Sequence, residues 1–265
     1  MQTTQKALVC ASFGTTVPTA AADIAGVEQA LAAAAPGWQL LRAYTSGMVR
    51  TALAGRGRPE DSVPEALARA AAAGCRRVLV QPTHFLWGVE YDKLKAQALA
   101  AAPGFDWLRV GRPLLDDTRD LRALAGAIGA LYPAEPGRAV VLMGHGSAHR
   151  ANVVYPALQG IFELQSRPDI RVGTVEGWPG LAEVCAALAR SRASRVLLVP
   201  LMLVAGDHAQ NDMAGPGPHS WRSVLAGQGY RVDWVRHGLG SEKAVQDLYA
   251  AHLRGVLQED GAHGL

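Results

Sequence analysis

The chain has 265 residues, of which 49 % are apolar and 18 % charged, with a formal net charge of +3. That length accommodates two ordinary domains with sizeable cores. No apolar run approaches the roughly 18 residues of a membrane span, and the first residues lack the basic start, long apolar stretch and cleavage site of a secretory signal. Three scattered cysteines, Cys10, Cys75 and Cys185, form no CxxC pair, so the reducing cytoplasm is the expected location. Basic residues cluster only at Arg76-Arg77 and from Arg190 to Arg195, each ahead of a β-rich run. They read as solvated loops and not as a nucleic-acid surface. The expected partner is therefore a small molecule, with no nucleic acid and no membrane. The mild positive balance suits an acidic ligand, and homo-oligomerisation is left open.

Short runs rich in Val, Leu and Ile alternate with Ala-rich stretches of helical period, the pattern of βαβ units and a parallel sheet. The first half is expected to hold strands at 7–13, 38–44, 77–82 and 106–111, with helices at 19–34, 62–73, 91–101 and 116–131. The helix at 62–73 opens on Ser62-Val63-Pro64-Glu65, a capping box with proline in the first turn, and Gly74 stops it. Tyr132-Pro133-Ala134-Glu135-Pro136-Gly137 breaks the next helix and predicts a boundary between halves 1–133 and 134–265. The second half is expected to hold strands at 139–143, 170–175, 195–203 and 230–235, and helices at 152–165, 179–190, 219–226 and 241–257.

The halves resemble copies offset by about 130 residues. Ala11-Ser12-Phe13-Gly14-Thr15 closes the first strand as Met143-Gly144-His145-Gly146-Ser147 closes the fifth. Arg77-Val78-Leu79-Val80-Gln81-Pro82 mirrors Arg195-Val196-Leu197-Leu198-Val199-Pro200, and each proline is followed by a glycine, Gly88 or Gly206, then by Glu90 or His208. A repeat this long is no solenoid. It predicts two similar doubly wound, Rossmann-like domains with parallel sheets, related by internal duplication.

Ligands of parallel α/β sheets bind beyond the carboxyl ends of the strands. In the second half His145, Glu176 and His208 each follow a strand, at separations of 31 and 32 residues. That is the length of one βαβ unit, so the three are expected on one rim. Two imidazoles and a carboxylate suit Co²⁺, Fe²⁺, Ni²⁺ or Zn²⁺. Each alone reads as a surface histidine or a helix-capping glutamate; their convergence makes a metal site. The aligned first-half positions carry Phe13, Thr45 and Glu90, so the full set belongs to the second half.

Met143-Gly144-His145-Gly146-Ser147, Val175-Glu176-Gly177-Trp178-Pro179 and the long segment from Pro200 to Gly215, with Gly206-Asp207-His208-Ala209-Gln210-Asn211-Asp212 at its centre, resemble the anaerobic cobalt chelatases of cobalamin synthesis. Ser12-Phe13-Gly14-Thr15-Thr16 and Gln81-Pro82-Thr83-His84 match the same pattern, and the resemblance spans residues 7 to 254. Trp178 stands where a smaller residue is often seen.

The resemblance implies the class II chelatase fold and insertion of Co²⁺ into sirohydrochlorin in a cleft between the halves, with Fe²⁺ as a second metal for sirohaem. It also implies metal binding by His145, Glu176 and His208. Insertion needs a held metal, a bent macrocycle and acceptors for two N–H protons. Imidazole, whose ordinary pKa is about 6.5, suits the proton step. His145 is thus read as ligand and principal base, Glu176 as ligand and second acceptor, and His208 as ligand. For the carboxylate-rich macrocycle the candidates are Ser12, Thr15, Thr16, Ser46, Ser147 and Arg50, with Phe13 stacking under the ring and Glu90 as a proton relay. Each has ordinary turn or core chemistry as its plain alternative. His84 is expected to pack against its own loop.

No GxGxxG or Walker loop occurs, so no nucleotide is expected. Arg236-His237-Gly238 lies too late in the chain for a histidine phosphatase, and His145 with His149 lacks the glutamate of HExxH. Two other classes stay open: a non-catalytic tetrapyrrole or metal carrier on the same fold, and a metal-dependent hydrolase using the same trio to activate water.

Overall fold

The apolar runs become strands wherever both faces are covered, and eight form in the computed structural model, which describes residues 5–262. The first four are β1 (Gln5–Ser12), β2 (Gln39–Tyr44), β3 (Cys75–Pro82) and β4 (Trp107–Val110); α1 (Ala21–Ala34), α2 (Gly47–Ala54), α3 (Val63–Ala72) and α4 (Val89–Ala101) connect them. After α5 (Thr118–Leu131) come β5 (Arg138–Gly144), α6 (Val154–Leu164), β6 (Ile170–Thr174), α7 (Leu181–Ala189), β7 (Arg195–Pro200), α8 (Trp221–Gly227), β8 (Arg231–Trp234) and α9 (Lys243–Ala262).

The sheets run β2-β1-β3-β4 and β6-β5-β7-β8, and every pairing is parallel. The shared order is the duplication expressed in space. Strands β1 and β5 are central and buried on both faces, which is why Leu8-Val9-Cys10-Ala11 and Val140-Val141-Leu142-Met143 carry no polar alternation. One face of the first sheet packs Val9, Ala43, Val78 and Val80 against Leu67 and Leu94. The second packs Val141, Met143, Val196 and Leu198 against Leu188, Trp221 and Leu225. The expected capping box forms: Glu65 N–H donates to Ser62 Oγ at 3.4 Å and Ser62 N–H to Glu65 Oε2 at 2.7 Å.

The division of the chain differs from the expected cut at 133/134. One compact unit takes the chain up to Asp116 and again from Lys243, and the other is Asp117–Glu242. Helix α5 therefore belongs to the second unit and α9 to the first. Asp117 starts α5 by accepting from the amides of Arg119 and Asp120 at 2.7 and 3.1 Å. Arg167 then closes its far end, donating to the carbonyls of Gly129 and Tyr132 at 3.0 and 2.7 Å. In the first unit α9 packs on α1 and buries Val245, Tyr249 and Leu253 completely. A helical period shows that a helix has an apolar face but not which sheet that face covers.

Three smaller differences follow local chemistry. Helix α2 was not anticipated, although Ser46 caps it by accepting from Val49 N–H at 3.3 Å. Strand β7 ends at Pro200, not at 203, because after Leu201 N–H donates to Met143 O at 2.8 Å the chain turns off the sheet. Helix α9 runs to Ala262. No helix among the described residues is long and apolar enough to cross a membrane.

Tyr249 Oη donates to the carbonyl of Thr83 at 2.6 Å from a fully buried position, fastening α9 to the end of β3. Tyr249→Phe leaves that carbonyl without its partner and should cost about 1 kcal/mol. Amide exchange in β1 and β3 should then quicken about five-fold while β5 and β7 are unchanged. A change confined to the second unit would contradict the placement of α9.

Candidate metal centre

Three loops leave the carboxyl ends of three neighbouring strands, β6, β5 and β7, in that order across the sheet. His145 directly follows β5, Glu176 lies two residues beyond β6, and His208 comes eight beyond β7. The three residues each present a ligand atom, and these atoms lie within 4.8 Å of one another. No other such group of His, Cys, Asp or Glu occurs among the described residues. The imidazoles of His145 and His208 meet edge to face with centroids 4.6 Å apart, and Glu176 Oε2 is 3.7 Å from His145 Nδ1. All three side chains face solvent, with relative exposures of 49 % for His145, 57 % for Glu176 and 30 % for His208.

The backbone sets the positions of His145 and Glu176. Beyond the strands the β5–β6 ladder continues, with Val175 N–H donating to Gly144 O at 3.0 Å and Glu176 N–H to His145 O at 2.8 Å. Gly146 turns the chain at φ +81°, and a Cβ there would lie 2.4 Å from Gly177 N. A Cβ on Gly177 would in turn lie 2.3 Å from Asn152 Oδ1. Only two glycines let these loops approach so closely. Asn152, which the sequence reading did not single out, clasps them: its Oδ1 accepts from Ser147 N–H at 3.0 Å and its Nδ2 donates to Trp178 O at 2.6 Å. Buried Tyr155 accepts from Gly146 N–H at 3.3 Å.

His208 arrives differently, on a wide helical turn, Ala209–Met213, of the π type. Ala209 and Met213 are buried in the core, so the same turn projects His208 and Asp212 outward. Asp212 Oδ2 lies 2.6 Å from His208 Nδ1. Asp212 lies within the segment that carries the family resemblance, and its i, i+4 spacing from His208 is the signal for it in the sequence.

The other residues predicted for ligand contact have diverse surroundings. Ser12 is fully buried and its hydroxyl accepts from Thr83 Oγ1 at 2.8 Å, which gives it a structural role. Thr15 Oγ1 accepts from Val17 N–H at 3.1 Å in a turn, as Ser46 does at the cap of α2. The carbonyl of Thr16 accepts from Arg56, and Arg50 lies 3.4 Å from Glu65. Ser147 Oγ accepts from His149 N–H at 3.0 Å. Phe13 is exposed at 46 %. Glu90 stands in the first turn of α4, 3.8 Å from Lys93, with Oε2 buried and unpartnered. His84 reaches beyond its own loop: Nε2 is 3.3 Å from Thr45 Oγ1, while Nδ1 is buried and unpartnered. Burial pushes the His84 pKa down to about 4, so the ring is neutral near pH 7.

The ladder also corrects one repeat equivalence. In the first unit Thr45 N–H donates to Ser12 O at 2.8 Å and Ser46 N–H to Phe13 O at 3.2 Å. These match Val175 to Gly144 and Glu176 to His145, so the counterpart of Glu176 is Ser46, not Thr45. The pairing of Glu90 with His208 is kept, since Asp92 N–H donates to Gly88 O as Gln210 N–H does to Gly206 O, at 3.0 and 3.1 Å.

Gly146→Ala forces a side chain into left-handed backbone and against Gly177. It should separate the loops carrying His145 and Glu176 and weaken Co²⁺ binding at least ten-fold, with the circular dichroism of the folded protein retained. Unaltered affinity in titration would show that the two loops do not need this approach.

Compared with known proteins, the chain matches the model of the family described as "Cobalt chelatase (CbiK)" over residues 6–258. It is 37 % identical over 256 residues to the sirohydrochlorin cobaltochelatase of Salmonella typhimurium, covering 96 % of this chain and 97 % of the relative. It is 33 % identical over 254 residues to the sirohydrochlorin cobaltochelatase CbiKC of Nitratidesulfovibrio vulgaris, covering 94 % and 90 %. The fold is similar to SirB of Bacillus subtilis solved with Fe³⁺, at a TM-score of 0.66 and 14 % identity over 97 % of this chain and 98 % of that one. It also resembles the sirohydrochlorin chelatase SirB solved with cobalt, at a TM-score of 0.59 and 14 % identity over 97 % of each chain. The α/β architecture inferred from the repeat is thus the architecture of chelatases, and the chain belongs to the cobalt chelatase (CbiK) family.

Proposed function

We propose that this chain is an ATP-independent cobaltochelatase that inserts Co²⁺ into sirohydrochlorin in anaerobic cobalamin biosynthesis in the cytoplasm, and that it also accepts Fe²⁺. The observation that carries this reading is the convergence of His145, Glu176 and His208 with their side chains open to solvent. A structural metal site is closed by its protein ligands, whereas a transferable ion needs an open side. Here that side is where a macrocycle nitrogen can reach the ion.

In the proposed reaction Co²⁺ is held first by the trio. The macrocycle then presents its pyrrole nitrogens, and two N–H protons leave as two Co–N bonds form. His145 takes one proton and Glu176 the second, each on an atom freed as the ion departs. Each deprotonated nitrogen is a stronger donor than the side chain it displaces, so ligand competition drives transfer without nucleotide hydrolysis. Phe13 and Ser147 are proposed to contact the macrocycle, Glu90 to relay a proton, and Thr15 and Ser46 to add polar contacts beside their turn and cap roles.

The decisive experiment mixes the protein with excess sirohydrochlorin and Co²⁺ without oxygen and follows the absorption spectrum. Conversion beyond one equivalent per chain is expected; a shift that stops at one equivalent would make the protein a carrier. His145→Ala and His208→Ala should each abolish insertion and leave the fold intact, because solvent-facing loop residues add little to the core. Thr45→Ala and His84→Ala should cost far less than Glu176→Ala. Near-normal turnover by either histidine variant would refute the site.

Metal choice should be loose. A His–Glu–His set has no thiolate to exclude hard ions and no closed cage to impose one geometry, and Cu²⁺ and Zn²⁺ bind such sites at least as tightly as Co²⁺. Tight binding hinders release to the macrocycle. Co²⁺ and Fe²⁺ should therefore both be inserted, while Zn²⁺ inhibits. Strict rejection of Fe²⁺ without inhibition by Zn²⁺ would show that ligand type does not control selection.

A further inference from the structure

The two histidines of the trio are supported unequally. Nδ1 of His208 lies 2.6 Å from Asp212 Oδ2. An ionised carboxylate only accepts, so Nδ1 carries the proton and the lone pair stands on Nε2, the ring atom left for an ion. Nδ1 of His145 lies 2.8 Å from the carbonyl of Gly146, a neutral acceptor, and its nearest carboxylate is Glu176, itself one of the trio. His208 is also the least exposed of the three side chains, and its turn is pinned from below by Ala209 and Met213. Asp212 is held on that turn and lies outside the ligand set.

We propose that Asp212 is a positioning residue that orients His208 with Nε2 toward the ion and makes it the anchoring ligand, leaving His145 as the ligand that lets go when the ion passes to the macrocycle. This inference rests on the metal-centre reading above. Its physical basis is the outer carboxylate on a ligating imidazole, which fixes the tautomer, limits ring rotation and makes the free nitrogen a better donor. A backbone carbonyl fixes the tautomer but adds no negative charge. An ion held by one anchored and one less supported imidazole can shift onto an incoming nitrogen without leaving the protein in one step. The first unit has no equivalent, because four residues beyond Glu90 stands Leu94, which is buried.

The test begins with Co²⁺ alone, titrated into the full chain and followed by its visible absorption. Asp212→Ala should weaken Co²⁺ binding about 10- to 100-fold. Asp212→Asn, which keeps an acceptor but loses the charge, should fall between it and the parent protein. His208→Ala should lose more affinity than His145→Ala. During turnover Asp212→Ala should raise KM for Co²⁺ by about the same factor as Kd, with kcat within about three-fold. Nitrogen NMR of the metal-free parent protein gives a readout independent of any variant: His208 should be the Nδ1–H tautomer, becoming mixed in Asp212→Ala while the His145 signals stay in place. The proposal is overturned by an Nε2–H tautomer in the parent protein, or by Asp212→Ala binding Co²⁺ within two-fold of it. Failure of the metal-centre reading would look different, since His208→Ala would itself then bind Co²⁺ normally.

Discussion

The parallel pairing of β5 between β6 and β7 is the constraint on which the candidate metal centre depends. Met143 is level with Gly173 on one side and Pro200 on the other, so three loops depart from one edge of the sheet at nearly the same height. Two of the trio, His145 and Glu176, are then set by main-chain bonds, because the β5–β6 ladder runs on until Glu176 N–H meets His145 O at 2.8 Å. A slip of one residue would turn every side chain to the opposite face, and because both faces of Val140-Val141-Leu142-Met143 are buried, it would break close packing on both sides of the sheet. The site therefore inherits its geometry from the core.

His208 lies outside that inheritance. Between Leu201 and His208 the chain has left the sheet, and the imidazole is delivered by a short π turn whose buried Ala209 and Met213 act as its foundation. A side chain carried this way needs its own orientation device, and Asp212, 2.6 Å from His208 Nδ1, is placed to serve as one. Main-chain rigidity on one side and a side-chain clasp on the other give the two histidines different mechanical support.

The duplication supplied one scaffold twice, and the units diverged at the strand ends. Both use the same strand order and the same ladder extension, with Gly14 and Gly146 turning the chain at φ +94° and +81°. At the positions of His145 and Glu176 the first unit carries Phe13 and Ser46. One is an exposed aromatic ring and the other a helix cap. The nearby His84 is held neutral by burial and lies 3.3 Å from Thr45 Oγ1. Equivalent backbones thus bring His145, Glu176 and His208 together in the second unit, and no such group forms in the first among the described residues.

Local chemistry in the sequence was enough to determine the eight strands, the capping box at Ser62 and the trio at the strand ends. Apolar runs buried on both faces carry no alternation, and residues one βαβ unit apart must return to the same rim. The sequence also carried the family resemblance in the segment from Pro200 to Gly215. Tertiary structure alone decided that α5 joins the second unit and α9 the first, since an apolar helical face is indifferent to which core buries it. It alone matched Glu176 with Ser46, because the connection from Phe13 to Ser46 is two residues longer than that from His145 to Glu176 and only the ladder shows which residues are level. It also revealed Asn152 and Asp212, polar residues whose partners, a neighbouring loop and an imidazole nitrogen, are chosen by direction in space. Sequence spacing states how far apart two residues lie along the chain; the direction of a side chain depends on the packing beneath it.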